Sequence, residues 1–90
     1  MSAPSPHDAA ATAVLSAREL AAAADISEER LLALVHLGLV EPTQPGGNEF
    51  DAAAALRLRR MIRLRAALGL SYVGAAIVAD LLERLDRLER

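Results

Sequence analysis

The apolar positions in the first half of the chain recur at helical spacing and predict two short helices joined by a tight turn. Ser16 is followed three residues later by Glu19, which is the capping-box pattern, so a first helix is expected over residues 17–24. Ser27 caps a second helix, and Gly38 lies where that helix should end. The apolar residues expected to face the first helix are Leu31, Leu34, Val35 and Leu37. This pattern predicts a helix-turn-helix unit.

The middle of the chain predicts a small wing followed by a long amphipathic helix. Two short extended segments, 39–42 and 49–50, flank a turn that contains proline and glycine. Asp51 then caps a helix that should run to about residue 68, where Gly69 stops it. One arc of this helix is basic and consists of Arg59, Arg60 and Arg63. Another arc is apolar and consists of Leu58, Met61, Ile62 and Leu68.

The last helix follows a cap at Ser71 and carries an apolar seam flanked by charges of both signs. The seam alternates spacings of three and four residues and consists of Val78, Leu81, Leu85 and Leu88. It is either part of the chain's own core or the interface of a homodimer. Because a seam at this end of the chain has little of its own chain to pack against, we favour the homodimer.

These elements predict an all-α fold with one domain. The domain is expected over residues 14–90, as a winged helix-turn-helix core with a small wing and a C-terminal amphipathic helix. Residues 1–13 are rich in alanine, proline and serine and should form a flexible tail. The tail has no basic start and no long apolar run, so we expect neither a signal peptide nor a membrane span, and we expect a cytoplasmic location.

Composition favours a binding module over an enzyme. The chain has no cysteine, so thiolate metal sites and a cysteine nucleophile are excluded, and no cofactor or metal is expected. It has no glycine-rich phosphate loop and no nucleophile beside a plausible base. With one tyrosine and one phenylalanine, it has no stacking platform for single-stranded nucleic acid. The net charge of -2 also counts against an autonomous DNA-binding domain, which is usually basic.

The order of these elements and their local amino-acid sequences resemble a known family. The stretch DISEERLLALVHLGLVEP, residues 25–42, resembles the start of MerR-type winged-helix regulators. Residues 50–89, FDAAAALRLRRMIRLRAALGLSYVGAAIVADLLERLDRLE, are more similar to CbpM-type chaperone modulators within that superfamily. The resemblance implies a MerR-like fold and a protein that binds the J-domain of a DnaJ- or CbpA-like co-chaperone and regulates its action with Hsp70. A MerR-family DNA-binding transcriptional regulator is the alternative.

The chain departs from DNA-binding MerR regulators at the positions that hold phosphate. Those regulators usually carry an arginine followed by aromatic residues in the second helix and an Arg-Tyr pair in the wing. Here the second helix begins Glu28-Glu29-Arg30, and the wing reads Gly-Gly-Asn-Glu-Phe over residues 46–50. Carboxylates at these positions would repel phosphate, so DNA binding should be weak or absent.

Two charged groups are candidate contact surfaces. The acidic group is a candidate partner-binding surface and consists of Glu28, Glu29, Glu41 and Glu49. J-domains expose a basic second helix, so the resemblance implies that an acidic surface would complement it and exclude Hsp70. For the first two glutamates, stabilisation of the positive helix end is an equally simple explanation. The arginine arc of the long helix contacts DNA phosphate or an acidic partner, or it is simply a solvated face.

Overall fold

The computed structural model describes residues 14–89, which form four helices and one two-stranded sheet. In chain order the elements are β1 (Leu15–Ser16), α1 (Ala17–Ala24), α2 (Glu28–His36), β2 (Glu49–Phe50), α3 (Ala52–Leu68) and α4 (Tyr72–Leu88). The predicted all-α fold class, with a small wing and a C-terminal helix, is confirmed. The tail predicted over residues 1–13 lies outside the described residues.

Each helix begins at the cap that the sequence predicts. At α1 the Glu19 N–H donates to the Ser16 hydroxyl over 3.1 Å, and the Ser16 N–H donates to the Glu19 carboxylate over 2.9 Å. The hydrogen bond from the Ser16 backbone, followed by that from its side chain, lowers the pKa of Glu19 below its usual value. The other three caps are side chains that accept a backbone N–H in the first turn, namely Ser27, Asp51 and Ser71.

The wing is built differently from the sequence prediction. Strand β2 pairs antiparallel with β1, with Leu15 opposite Phe50 and Ser16 opposite Glu49, so its partner precedes α1. Residues 39–42 form no strand. The physical reason is that Pro42 has no N–H to donate and the Leu39 carbonyl already accepts a hydrogen bond from the Arg57 side chain over 2.8 Å.

The core lies between α1, α2 and the α3–α4 hairpin. Leucines of α1 and α2, together with Val40 and Phe50, pack against Leu58 and Met61 of α3. Helix α4 contributes only small side chains to the buried core, and these are Ala75, Ala76 and Ala79. The fully buried core therefore takes no large side chain from α4, and the partly buried Tyr72 packs against its edge.

Two leucines that the apolar pattern assigned to buried faces are exposed instead. Leu37 is the C-cap residue after α2, and Leu68 is the last residue of α3. A residue at a helix end lies beyond the neighbouring element that covers the middle of the helix. The prediction that Leu37 and Leu68 share the packed faces is wrong.

Candidate functional site

An acidic cleft lies between the α2–β2 connection, the start of α3 and the side of α4. Its volume is about 540 Å³. Four carboxylates and one guanidinium line it, and they belong to Glu41, Asp51, Asp80, Glu83 and Arg57. Negative charge therefore predominates in a concave surface to which three elements contribute.

Arg57 is bound to groups of its own chain within the cleft, and its single positive charge does not balance the negative charge of the cleft. Its Nε donates to the Leu39 carbonyl oxygen over 2.8 Å, and one of its terminal nitrogens forms a hydrogen-bonded ion pair with Asp80. Within residues 14–89, Glu41 and Glu83 have no ion pair. Asp51 also has no ion pair in this range, but it accepts the Ala54 N–H as the cap of α3. The cleft therefore presents the carboxylates of Glu41 and Glu83 to an approaching cation.

The four glutamates predicted as a partner-binding surface are all exposed, but they do not share one depression. Glu41 lines the acidic cleft, whereas Glu29 lines a separate depression beside Tyr72. Glu28 lies in the first turn of α2, and Glu49 lies on β2 opposite Ser16. Sequence reasoning missed the other acidic residues of the cleft because Asp80 and Glu83 come from α4, far from Glu41 along the chain, and because the sequence identifies Asp51 only as the cap of α3.

The outward face of α2 is acidic and apolar. The exposed residues on the side of the helix away from the buried Leu31 and Leu34 are Glu28, Glu29, Leu32, Ala33 and His36. The arginine of this helix, Arg30, lies with its guanidinium carbon 5.6 Å from the centre of the Tyr72 ring, and that of Arg65 lies 4.5 Å from the same ring. Arg30 is thereby directed toward the start of α4, where it lines the same depression as Glu29.

The arginine arc of α3 divides into one paired and two unpaired residues. Arg59 and Arg63 are exposed and have no ion pair within the described range 14–89. Arg60 lies with a terminal nitrogen 3.8 Å from a carboxylate oxygen of Asp86 on α4. A groove of about 330 Å³ runs between these helices, the α3–α4 groove, lined by Arg60, Arg63, Leu64, Leu82 and Asp86.

The predicted seam of α4 lies mostly on the protein surface. Leu81 and Leu85 are 51% exposed and Leu88 is 82% exposed, whereas Val78 is half-buried. Together with two further exposed residues these leucines form an apolar strip, here called the leucine stripe, which consists of Val73, Ile77, Leu81, Leu85 and Leu88. The seam therefore contributes little to the core of this chain.

Other kinds of site find no support in the part of the chain that the structure describes. Residues 14–89 contain no group of three or more His, Cys, Asp or Glu side chains arranged to hold a metal ion. None of the four helices is by itself long and apolar enough to cross a membrane. Helices α3 and α4 taken together have the length and composition for it, but they are bent by 114° at their junction.

Comparison with known proteins identifies a family that the chain matches over most of its length. Residues 15–90 match the MerR HTH family of regulatory proteins. Chaperone modulatory protein CbpM of Citrobacter koseri is 41% identical over 70 residues, which cover 72% of this chain and 66% of that protein. The CbpM of Salmonella paratyphi A is 38% identical over 65 residues, or 70% and 64% of the two chains.

A third relative matches over a longer stretch. The CbpM of Pseudomonas entomophila is 34% identical over 76 residues, which cover 82% of this chain and 75% of that protein. The present chain spans just under two thirds of the length of the Citrobacter and Salmonella relatives.

Proposed function

The chain belongs to the MerR HTH family of regulatory proteins and to the CbpM-like group within it, and from this premise we propose that it is a chaperone modulator. In this proposal it binds the J-domain of a DnaJ- or CbpA-like co-chaperone and regulates the action of that co-chaperone with Hsp70. The observation that carries the proposal is the acidic character of the outward face of α2, where a DNA-binding relative would present cations to phosphate.

Charge complementarity supplies the binding mechanism. A J-domain offers a basic helix, and carboxylates that face it raise the rate of encounter and select against partners of the wrong charge. Occupying that basic helix would keep Hsp70 from using the same surface. The role is therefore one of binding and competition rather than catalysis, and we place it in the cytoplasm, where a co-chaperone and Hsp70 would be available.

We assign the partner surface to the four predicted glutamates, extended by the acidic cleft. Glu28 and Glu29 lie on the outward face of α2, and Glu41 lies in the cleft. Glu49 on the wing adds a further exposed carboxylate. Glu83 in the same cleft is unpaired within residues 14–89, so a cationic side chain that enters beside Glu41 also meets Glu83.

The decisive experiment is charge reversal on the acidic face. The triple variant Glu28→Arg, Glu29→Arg and Glu41→Arg should abolish binding to an isolated J-domain measured by calorimetry, because repulsion from a basic helix amounts to several kcal/mol. The fold should survive, since exposed substitutions typically cost within about 0.5 kcal/mol each and losing first-turn carboxylates adds a few tenths.

The matched control reverses the other charge. The triple variant Arg59→Glu, Arg60→Glu and Arg63→Glu should leave the affinity for an isolated J-domain largely unchanged. If the arginine variant destroys binding while the glutamate variant spares it, the partner is correct but the assigned face is wrong. If neither variant changes binding, the electrostatic mechanism is wrong.

DNA binding is the second candidate function, favoured by the family itself and by the unpaired Arg59 and Arg63. We propose that it is weak or absent, because carboxylates occupy the outward face of α2 and the wing. Titration of duplex DNA should give only weak binding that is lost as salt rises. Sub-micromolar, sequence-selective binding at about 150 mM salt would instead establish a transcriptional regulator.

We also propose that the protein is a homodimer and that the leucine stripe is its interface. An exposed apolar strip along one helix favours association with a second copy. Analytical ultracentrifugation of the double variant Leu81→Asp and Leu85→Asp should show a monomer. If the unmodified protein is already monomeric at tens of micromolar, this part of the proposal fails while J-domain binding by a monomer remains open to the calorimetric test.

A further inference from the structure

Arg30 lies in a depression at the start of α4, here called the Tyr72 depression, and is held there by an aromatic ring. The depression has a volume of about 470 Å³, and its lining includes Glu29, Arg30, Ala33, Leu37 and Tyr72. The guanidinium carbon of Arg30 lies 5.6 Å from the centre of the Tyr72 ring. Arg30 is exposed and forms no ion pair within residues 14–89. A positioned cation is therefore open to an approaching anion.

The stability of α2 does not explain why an arginine occupies position 30. Arg30 belongs to the first turn of α2, where the helix dipole has its positive end and a cation is unfavourable. Arg65 lies in the last turn of α3, where a cation is favourable. Its guanidinium carbon is 4.5 Å from the centre of the same Tyr72 ring, so two like charges share one ring. Because the ring attracts both cations but neutralises neither, a carboxylate bound at Arg30 would offset their repulsion.

The Tyr72 depression fits an acidic side chain of a protein better than a small free anion. Leu37, which is 62% exposed, and Ala33 add apolar surface to the depression. A protein segment that covers Leu37 removes this surface from water, which an inorganic anion cannot do. Glu29 lines the same depression, so a bound protein meets charges of both signs within one contact. Opposite charges side by side fix the register in which a partner docks.

We propose that Arg30 binds an acidic side chain of the J-domain partner and that Tyr72 positions the guanidinium for this contact. The inference rests on the proposed function and adds a contact of opposite sign to it. While the basic helix of the partner faces Glu28 and Glu29, an aspartate or glutamate of the same partner forms a bidentate ion pair with Arg30. The two contacts together allow only one orientation of the bound partner, and Arg65 adds positive potential beside the ion pair.

Calorimetric titration of single variants with an intact J-domain co-chaperone tests the contact. Arg30→Gln should weaken binding about ten-fold or more, because the carboxylate of the partner loses its charged donor. Arg30→Lys should recover part of this loss, since lysine keeps the charge but not the two parallel donors. Tyr72→Leu keeps an apolar side chain but removes the ring, and it should also weaken binding. An unchanged affinity for Tyr72→Leu overturns the positioning role of Tyr72.

The matched control is Arg59→Gln, which removes the charge of another exposed arginine that has no ion pair within residues 14–89. Arg59 lines a different depression, so its loss should leave the affinity within about two-fold of the unmodified protein. A double-mutant cycle then separates direct contact from a structural role of Arg30. Each surface Asp or Glu of the J-domain is changed in turn to Asn or Gln. One such change should weaken binding to the unmodified protein about ten-fold or more but leave binding to Arg30→Gln almost unchanged.

The outcomes separate this inference from the function on which it rests. An unmodified protein that does not bind the co-chaperone overturns both. If the glutamate triple variant abolishes binding but Arg30→Gln binds as well as Arg59→Gln does, only the contact at Arg30 is overturned. A weaker Arg30→Gln that couples to no acidic residue of the J-domain also overturns it, because the loss is then structural. Circular dichroism checks that each variant remains helical.

Discussion

The helix-turn-helix half and helix α4 bury their apolar residues in opposite ways. Leu20 of α1 and Leu31 and Leu34 of α2 are buried, whereas α4 buries only alanines and leaves its leucines at the surface. Alanine on α4 allows the helix to lie close to α3, where the larger Leu58 and Met61 fill the space opposite. The size of an apolar side chain therefore does not reveal whether it faces the chain's own core.

The apolar residues of the two regions contribute to different properties of the protein. The leucines of α1 and α2 stabilise the monomer through the area they remove from water. The leucine stripe of α4 leaves about half or more of each side chain exposed within one chain, so covering it would stabilise the proposed homodimer more than the monomer. Substitutions in α1 and α2 should therefore change the free energy of unfolding, whereas substitutions in the leucine stripe should change self-association.

The largest effect should come from a core leucine of the helix-turn-helix half. Leu31 is 0% exposed and its neighbour Leu32 is 47% exposed, so the pair forms a matched test on one helix. Leu31→Ala should lower the free energy of unfolding by about 2–5 kcal/mol, because it removes buried area and leaves a cavity. Leu32→Ala should cost about 1 kcal/mol or less, and urea denaturation measures both. Equal costs would contradict the assignment of the packed face of α2.

On α4 we expect a small buried side chain to matter more for the stability of the monomer than a large exposed one. Ala79→Leu should destabilise the monomer by about 1–3 kcal/mol, because Ala79 is fully buried against α3 and the larger side chain overpacks that contact. Leu81→Ala should change the stability of the monomer by only about 0.5 kcal/mol. Both are measured by denaturation at sub-micromolar concentration, where dimers contribute least. A large loss for Leu81→Ala under these conditions would mean that the stripe belongs to the core.

A smaller effect should appear where the two halves are joined. Arg57→Met removes the hydrogen bond to the Leu39 carbonyl and the ion pair with Asp80, and should cost about 1–2 kcal/mol. Asp80→Ala removes only the ion pair, whose carboxylate is largely exposed, and should cost at most about 1 kcal/mol. Thermal unfolding of both variants tests this difference. If Asp80→Ala is the more damaging, the ion pair and not the backbone contact joins the halves.

The smallest effect should be a pH dependence in the first turn of α1. The capping box lowers the pKa of Glu19, so the carboxylate contributes stability above its usual value of 4.5. That contribution is lost as the pH falls through the lowered pKa. The difference in melting temperature between the unmodified protein and Glu19→Gln should therefore be constant near neutral pH and shrink in acid. A difference that persists unchanged at pH values well below 4.5 would mean that the charge of Glu19 has no part in the cap.

The amino-acid sequence was sufficient to predict where the helices begin and end and which family the chain resembles. Caps such as Ser16, Ser27 and Asp51 act on backbone groups three residues away, so their effect can be predicted from neighbouring residues alone. Gly69 likewise ends α3 because a left-handed φ of 67° suits glycine. The all-α class, the helix-turn-helix and the MerR resemblance followed from these local patterns.

Contacts between distant parts of the chain could be read only from the folded structure. It paired β2 with β1 across the length of the helix-turn-helix unit, assigned the alanines of α4 to the core, and placed Asp80 and Glu83 beside Glu41 in one cleft. Helical periodicity shows that α4 has apolar positions, but it cannot tell which arc meets α3, because that depends on the crossing of two helices. Contacts between residues far apart in the chain depend on how the elements pack, and that is why the cleft and the outward leucines emerged only from the folded arrangement.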